Sequence, residues 1–291
     1  MIAGIGEVLW DVFPDGAHFG GAPANFACHA SGLGAEAWMV SAVGTDELGD
    51  RALAALRERG VECAHVSRDP LRATGRVLVT LNAAGQASYE FAADPAWDQL
   101  AWSNELGALA ARCDAVCFGS LGQRSPVSRE TIRRFVEATP RSTLRVFDVN
   151  LRQRFYDAQT VQASLQMASA LKLNDEELPV VAGLCGVRAT TPREILIELM
   201  RRYDLRLAAL TRGPHGSLLL AGSEVSECPA PPTTVVDTVG AGDAFTATLV
   251  SGFLRGLPLA TINRHANAVA SFVCSQNGAT PPLPASLREF A

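Results

Sequence analysis

The sequence has 291 residues, 48% hydrophobic and 19% charged, with a formal net charge of −5. This is the composition of an ordinary globular protein, long enough for one large core with or without an appendage. The chain has no basic cluster, no platform of aromatic side chains and no stretch near the roughly 18 apolar residues of a membrane span. Binding to nucleic acids or to membranes is therefore disfavoured.

The first ten residues and the cysteines indicate the compartment. The opening, MIAGIGEVLW, has no basic residue and only a short apolar run, so it is typical of a first strand rather than of a signal peptide. The seven cysteines are scattered, and the one close pair, Cys113 and Cys117, has no second pair or histidine at zinc-site spacing. We therefore expect reduced thiols in a cytoplasmic protein.

Short apolar runs alternate with helical patterns along the chain, which predicts an α/β fold. The expected strands lie at 3–9, 115–119, 144–150, 170–174 and 207–211, and the expected helices at 23–32, 47–59, 128–138, 158–169, 192–203, 243–255 and 259–275. At 47–59 the signals agree, because Asp46 can cap the helix and Gly60 can end it. Strands that are apolar throughout indicate a parallel sheet covered by helices on both faces, with the site at the carboxyl ends of the strands.

Two segments break this alternation. Residues 75–91 have the pattern of a hairpin of two half-buried strands around a polar turn, and residues 11–21 have no helical period. Together they predict a small antiparallel lid over one edge of the site. The predicted division is a core of 1–10, 21–74 and 98–291 and a lid of 11–20 and 75–97.

Neither of two common nucleotide-binding motifs identifies a nucleotide site in this sequence. The chain contains no GxxxxGK[ST] loop, and GLGAEA (32–37), which fits a loose dinucleotide pattern, is expected to follow a helix rather than a strand. Lys172 is the only lysine among 25 basic residues. Any anion binding should therefore depend on arginine, metal ions and backbone N–H groups.

Two glycine-containing stretches are candidates for the site. In DTVGAGDAF (237–245) the glycines come just before a predicted helix, with Asp243 in its first turn. A helix start with small residues suits an anion, although an ordinary tight turn with a first-turn acid has the same pattern. In GGAPANF (20–26), Pro23 suits a first helical turn, and Asn25 is either incidental or a hydrogen-bonding partner of a polyol.

Taken together, these stretches resemble the signatures of the ribokinase-like (PfkB) carbohydrate kinase family, and the resemblance covers essentially the whole chain. Four more segments match the family in its order: VGTDELG (43–49), FDVNLR (147–152), NDEE (174–177) and TRGPHG (211–216). FDVNLR and GEVLWDVFP (6–14) are similar to the fructokinase-type members. The resemblance implies a three-layer sandwich, with a mostly parallel sheet between helices and a small β lid.

The resemblance also implies roles for individual residues. It makes Asp243 the general base, beside an anion-binding backbone formed by Gly240, Ala241 and Gly242. It assigns substrate contacts to Asp11, Gly20, Gly21, Asn25, Ser120 and Arg152, and nucleotide contacts to Asn174, Glu177, Thr211, Gly213, Gly216 and Asn267. Glu177 would meet Mg²⁺ through water; the alternative for Asn174 and Glu177 is a helix cap with a first-turn acid. A potassium site would involve Asp237, Val239 and Gly278. Arg152 could bind phosphate or substrate, or simply lie on the surface.

The expected activity is ATP- and Mg²⁺-dependent phosphorylation of a free sugar at a primary hydroxyl, with fructose as the sugar. GGAPAN in place of GGKGAN argues against ribose, and the absence of Arg and Lys between Val77 and Trp97 argues against 2-keto-3-deoxygluconate and sugar phosphates. The alternatives are a ribokinase, a 2-keto-3-deoxygluconate kinase, an inactive sugar-binding regulator and, from GLGAEA alone, an oxidoreductase. Family resemblance also allows a homodimer formed through the lid.

Overall fold

The computed structural model describes residues 1–14, 16–81 and 87–290, and these residues form two sheets and ten α-helices. The strands are β1 (Ile2–Ile5), β2 (Leu9–Phe13), β3 (Gly16–Gly20), β4 (Ala37–Gly44), β5 (Val61–Glu62), β6 (Val66–Asp69), β7 (Gly75–Leu81), β8 (Ala87–Phe91), β9 (Ala115–Phe118), β10 (Leu144–Asp148), β11 (Ala170–Asn174), β12 (Leu207–Thr211), β13 (Ser217–Ala221) and β14 (Glu224–Cys228). The helices are α1 (Ala22–Gly32), α2 (Glu47–Glu58), α3 (Asn104–Ala110), α4 (Pro126–Ala138), α5 (Ala158–Met167), α6 (Glu177–Leu184), α7 (Pro192–Tyr203), α8 (Ala241–Leu254), α9 (Leu259–Cys274) and α10 (Ala285–Arg288).

The large sheet has ten strands in the order β14-β13-β12-β11-β10-β9-β1-β4-β5, with β6 also paired to β4. From β12 to β5 the neighbouring strands are parallel, and the β12–β13 and β13–β14 pairs are antiparallel. The carboxyl ends of the parallel strands therefore lie along one edge of the sheet, where a site is expected.

Helices cover both faces of this sheet, and each face has its own hydrophobic core. One core packs α1, α2, α8 and α9 against the sheet, with Phe26 and Phe245 among its buried residues. The other packs α3 to α7, with Phe135 and Leu196 buried. The predicted three-layer fold with a mostly parallel sheet is therefore confirmed.

Local signals in the sequence fix the ends of the helices. At α2, the Asp46 carboxylate accepts a hydrogen bond from the Gly49 N–H at 2.8 Å, and the chain leaves the helix at Gly60 with a φ of +71°. GLGAEA connects α1 to β4 and so follows a helix, as expected. No helix among the described residues is both long and apolar enough to cross a membrane.

The first predicted strand, 3–9, is interrupted. β1 ends at Ile5 because Gly6 has a φ of +145°, and any side chain there would lie 2.9 Å from the ring of Pro23. The chain turns and starts a new strand at Leu9, within the segment predicted to belong to the core.

The second sheet has the order β3-β2-β7-β8. The β2–β3 and β7–β8 pairs are antiparallel, whereas β2 and β7 run parallel. A small apolar cluster of Leu9, Val77, Trp97 and Leu121 connects this sheet to the main body. The polar turn expected at 82–86 lies outside the described residues, and the boundaries proposed for the lid stay a prediction.

Candidate active site

The predicted site residues gather at the carboxyl edge of the large sheet. Glu7 follows β1, Ser120 follows β9, and Asp148, Asn174 and Thr211 are the last residues of β10, β11 and β12. The first turns of α1 and α8 contact each other at this edge. The sheet topology therefore brings together residues that are far apart in the sequence.

Asp243 is buried in the first turn of α8. The turn depends on Gly240, which has a φ of +79° and lies so close to Ala279 that a Cβ there would be 2.2 Å from the Ala279 carbonyl oxygen. Burial is the main cause that raises the pKa of Asp243 to about 7, and the negative charge of Asp148 adds to it. Lys172, a hydrogen bond from Asn25 and Arg152 lower it. A carboxyl group with a pKa near neutrality can act as a general base.

Asn25 occupies the first turn of α1 and contacts Asp243. Its Nδ2 donates to the Asp243 Oδ2 at 2.9 Å, while its Oδ1 is buried and has no hydrogen-bond partner among the described residues. Gly21 precedes the helix with a φ of +109°, and a Cβ there would lie 2.5 Å from the Glu7 carbonyl oxygen. The unpaired oxygen can accept a hydrogen bond from a hydroxyl group beside Asp243.

Asp11 lies on the small sheet, opposite His18 in the β2–β3 pairing. Gly20 leaves room for it, because a Cβ at Gly20 would be 3.0 Å from the Asp11 Oδ2. Burial raises the pKa of Asp11 to about 6, whereas Arg152 and His18 lower it. The small sheet therefore contributes an acid to the same group of charges.

Arg152 is exposed, and its Nη1 donates to the Leu151 carbonyl oxygen at 3.0 Å. Its positive charge lowers the pKa of Glu7, Asp11 and Asp243. Arg152 thus lies within electrostatic reach of three acids, which is a suitable position for a residue that meets an anion.

Ser120 is fully buried, and its hydroxyl donates to the Asn150 carbonyl oxygen at 3.0 Å. Asn150 has a φ of +44°, and its Nδ2 is buried with no hydrogen-bond partner in the described part of the chain. The structure therefore places Ser120 next to the site but uses its hydroxyl within the protein, and its contact with substrate stays a prediction.

Asn174 and Glu177 cap the start of α6. The Asn174 Oδ1 accepts from the N–H groups of Glu176 and Glu177 at 3.0 and 2.8 Å, and the Glu177 Oε2 accepts from the Asn174 N–H at 2.9 Å. The Glu177 Oε1 accepts from the Leu151 N–H at 3.0 Å. This is the geometry of the helix-cap interpretation.

The same capping geometry is compatible with a magnesium ion carried by phosphates. Glu177 is a buried carboxylate with both oxygens engaged by backbone donors, and the described residues contain no group of three potential metal-ligating side chains. Mg²⁺ usually keeps several waters and binds one or two carboxylates together with substrate phosphates. Glu177 therefore fits a contact through water.

The predicted nucleotide loop, Thr211 to Gly216, is a tight connection between β12 and β13. Gly213 and Gly216 have φ values of +51° and +81°, and a Cβ at Gly216 would lie 2.0 Å from the Cys228 carbonyl oxygen. Asn267 is buried on α9, where its Nδ2 donates to the Ser217 hydroxyl at 2.6 Å. Its amide thus stabilises the packing of α9, and its contact with a nucleotide stays a prediction.

Asp237 connects the two loops of the expected potassium site. Its Oδ1 accepts from the Val239 N–H at 3.0 Å and its Oδ2 from the Gly278 N–H at 3.2 Å. The structure therefore brings all three predicted residues together, next to the start of α8. Binding of potassium there stays a prediction.

Four buried residues near Asp243 were not assigned to the site from the sequence: Glu7, Asp148, Lys172 and Thr246. Asp148 is the first residue of the D-x-N-x-R match, and Lys172 is the only lysine, so both residues could have been recognised as candidates from the sequence. Burial is the main cause that raises the pKa of Glu7 to about 7, and its Oε2 has no hydrogen-bond partner among the described residues. Glu7 also lies within a matched stretch, GEVLWDVFP, whereas nothing in the pattern around Thr246 distinguished it.

Comparison with known proteins gives consistent matches along the chain. Residues 12–286 match the family described as pfkB family carbohydrate kinase. A fructokinase of Klebsiella pneumoniae is 31% identical over 267 residues, which is 87% of this chain and 85% of that protein.

Solved structures of sugar kinases are also similar. An uncharacterized sugar kinase of Pyrococcus horikoshii in complex with ATP superposes with a TM-score of 0.82 at 30% identity, over 96% of this chain and 94% of that one. A Vibrio cholerae fructokinase with bound fructose, ADP and calcium ion has a TM-score of 0.81 at 25% identity, over 99% and 98% of the two chains. These likenesses confirm the predicted ribokinase-like fold.

Proposed function

Because the chain belongs to the pfkB family of carbohydrate kinases, we propose that it transfers the γ-phosphate of ATP to a primary hydroxyl of free fructose. The observation that carries this proposal is the buried contact between Asn25 and Asp243 at the start of α8. It joins a candidate hydroxyl-binding amide to a carboxylate whose pKa is raised to about 7. A kinase needs this combination, since the attacking hydroxyl must be held and deprotonated.

Asp243 is the general base of this mechanism. It accepts the proton of the sugar hydroxyl as that oxygen attacks the γ-phosphorus, whose bond to the β,γ-bridging oxygen breaks so that ADP leaves. Asn25 orients the carboxylate through Nδ2, while its free Oδ1 accepts from the sugar. Burial keeps bulk water away from this carboxylate, which favours transfer to the sugar over hydrolysis of ATP.

The start of α8 stabilises the charge that develops on the transferred phosphoryl group. The first N–H groups of a helix have no partner within the helix and lie at the positive end of its dipole. Gly240, Ala241 and Gly242 give this end almost no side chains, so phosphate oxygens can approach the backbone. Magnesium bound with ATP would neutralise phosphate charge there, and Glu177 would contact it through water.

The small sheet forms a lid that favours an uncharged sugar. Its segments 11–20 and 75–97 carry a single Arg or Lys, Arg76, which lies before Val77, so no Lys or Arg follows until beyond Trp97. Arg124 reaches this region from the main body, but it donates to the Asp98 carboxylate at 2.8 Å and to the Ala92 carbonyl oxygen at 2.8 Å. Its charge is already paired, which disfavours a sugar carboxylate or a sugar phosphate.

Similarity supports fructose in particular. The Klebsiella pneumoniae relative is named fructokinase, and the Vibrio cholerae structure contains fructose and ADP. The carboxylate of Asp11 and the amide of Asn25 provide acceptors for several hydroxyls of a ketohexose. A site built to hydrogen-bond hydroxyl groups rejects an analogue that lacks one far more strongly than an apolar pocket does.

A coupled ADP-release assay tests the proposal. The purified protein is given MgATP and, in parallel, fructose, ribose, 2-keto-3-deoxygluconate, nucleosides and fructose phosphates. We expect the highest kcat/KM for fructose and little ADP release without sugar. A higher kcat/KM for 2-keto-3-deoxygluconate would overturn the neutral-sugar argument and make Arg152 the carboxylate partner. Binding of sugar without ADP release would instead support a regulator.

A further inference from the structure

Asp148 and Lys172 form a buried ion pair beneath the start of α8. The Lys172 Nζ donates to the Asp148 Oδ1 at 3.0 Å, and each side chain is only 5% exposed. Burial opposes the charge on Lys172, but Asp148, Glu177 and Asp243 raise the pKa of its ammonium group. Lys172 therefore stays positive at neutral pH.

The ion pair is attached to α8 at two points. The Thr246 hydroxyl lies 2.8 Å from the Asp148 Oδ2 and 2.9 Å from the Gly242 carbonyl oxygen, so it connects the acid to the first turn of the helix. Lys172 contacts the same turn, because a Cβ at Gly242 would lie 2.9 Å from its Nζ. Both charges thus lie against the backbone that carries Asp243.

We propose that Asp148 and Lys172 are positioning residues for phosphoryl transfer, which together hold the first turn of α8 and the Asp243 that it carries. This inference rests on the proposed function, because it concerns how the base of that reaction is held. An ion pair used only for packing could be replaced by apolar residues at little cost. Here the two members act on a third group, Asp243, so they are not interchangeable with apolar side chains.

The charged and titratable groups around Asp243 come from several elements. They are Glu7 after β1, Cys117 on β9, Asp148 on β10, Arg152 after β10 and Lys172 on β11. Burial and nearby negative charges raise the pKa of Cys117 well above its usual range, so this thiol stays neutral. Of the two members of the pair, Asp148 raises the pKa of Asp243 and Lys172 lowers it.

The opposing effects give a test that a merely structural role would not satisfy. In Asp148→Asn the pKa of Asp243 should fall, and in Lys172→Met it should rise, each by about one pH unit, as is typical for a charge close to a carboxylate. In the double variant the pKa of Asp243 should return towards its wild-type value. Lys172→Arg keeps the charge, so the pKa of Asp243 should stay near its wild-type value. Thr246→Val keeps both charges and should lower kcat without moving the pH profile.

Two readouts separate this inference from the proposed function. The first is the acid limb of kcat/KM against pH with fructose and MgATP. The second is the carboxyl ¹³C NMR titration of Asp243 in protein labelled with ¹³C-aspartate, assigned from the signal missing in Asp243→Asn, which requires no activity. If fructose is not a substrate, the NMR titration still measures the effect of the pair.

Shifts of the same sign in Asp148→Asn and Lys172→Met, or no shift in either, would overturn the inference. If Lys172→Met does not fold, Asp148→Asn is compared with Asp148→Asn/Lys172→Met, which has no unpaired charge. Loss of Lys172 in that background should raise the pKa of Asp243, and an unchanged value would again overturn the inference.

Discussion

Asn25 donates a hydrogen bond of 2.9 Å to Asp243, although the two residues are 218 positions apart in the sequence. The contact joins the first turns of α1 and α8, which are the two helices that begin after glycine-containing stretches. It fixes the orientation of the carboxylate while leaving its other oxygen available for a hydroxyl.

Replacing Asp243 by Asn removes the proposed base while retaining its size. We expect kcat for fructose phosphorylation to fall by about 10²–10⁴, the usual contribution of a general base, with a small change in sugar binding. Glu130→Gln, an exposed position on α4, is the matched control and should have no effect. A variant at Asp243 that retains most of its kcat would contradict the assignment.

Replacing Asp11 by Ala removes an acid of the small sheet that we propose to contact the sugar. We expect kcat/KM for fructose to fall by about 10² or more, because sugar hydroxyls lose a half-buried partner, whereas KM for ATP should change little. Steady-state kinetics with each substrate varied in turn measures both constants. Equal losses for sugar and ATP would show that the variant damages the whole site.

Replacing Gly242 by Val places a branched side chain against the backbone proposed to bind phosphate and against Lys172, whose Nζ would be 2.9 Å from the new Cβ. We expect turnover to fall by about 10² or more. Gly183→Val is the control, because Gly183 is exposed on α6 and a Cβ there contacts nothing within 4 Å. Circular dichroism checks the fold of both variants, and a folded Gly242→Val with full activity would refute the phosphate contact.

The buried carboxyl group of Glu7 predicts a pH-dependent stability. Because the pKa is about 7 in the folded protein against 4.5 ordinarily, the folded state retains this proton between those values while the unfolded chain loses it. The contribution of Glu7 to the free energy of unfolding is therefore fully present below about pH 4.5 and is lost as the pH rises through about 7.

Glu7→Gln tests this sign, since glutamine cannot ionise. Relative to the wild type, the free energy of unfolding of the variant should increase from pH 5 to pH 8 by up to about 3 kcal/mol. Urea unfolding at pH 5, 6, 7 and 8 measures the difference. A difference in the free energy of unfolding that is the same at every pH reflects packing. If the variant and the wild type differ only by such a constant amount, Glu7 does not carry a buried charge.

A monovalent-cation site beside Asp237 predicts activation by potassium. We expect a higher kcat/KM in KCl than in tetramethylammonium chloride at equal ionic strength, and we expect Asp237→Asn to reduce this difference. Equal kcat/KM values for the wild type in the two salts would contradict a potassium site beside Asp237. The comparison uses the native protein, so it does not depend on how the variant folds.

Periodicity predicted the elements whose signals lie within one segment. Strands Ala170–Asn174 and Leu207–Thr211 and helix Pro192–Tyr203 have the expected bounds. Strand β4 was missed because it follows α1 after only four residues, and helix α6 because Pro179 and a continuous apolar run hide its helical period. Strand β13 depends on antiparallel pairing with β12, and β14 on antiparallel pairing with β13, which no local pattern reveals.

The site was predictable where a motif fixes both the residue and its backbone, as at Asn25, Gly240 and Asp243. It was not predictable where a residue acquires its role from its neighbours. Glu7 resembles any acid at a strand end, and only the packing of Gly21, Gly122 and Ala22 around it makes it a buried carboxyl group. Lys172 was recognisable as unusual, but its partner depends on which strand lies beside β11.

The position of β1 in the middle of the large sheet has a consequence for synthesis of the chain. During synthesis, β1 can pair with β4 soon after both are made, but its other edge remains unpaired until β9 is made. β10, β11 and β12 then add to the growing sheet beyond β9, in chain order. A nascent chain therefore exposes one unpaired strand edge after another until antiparallel β13 and β14 end the series. Unpaired strand edges pair with other chains. We therefore expect a chain that is truncated between β9 and β12 to aggregate rather than to remain as a soluble, inactive fragment.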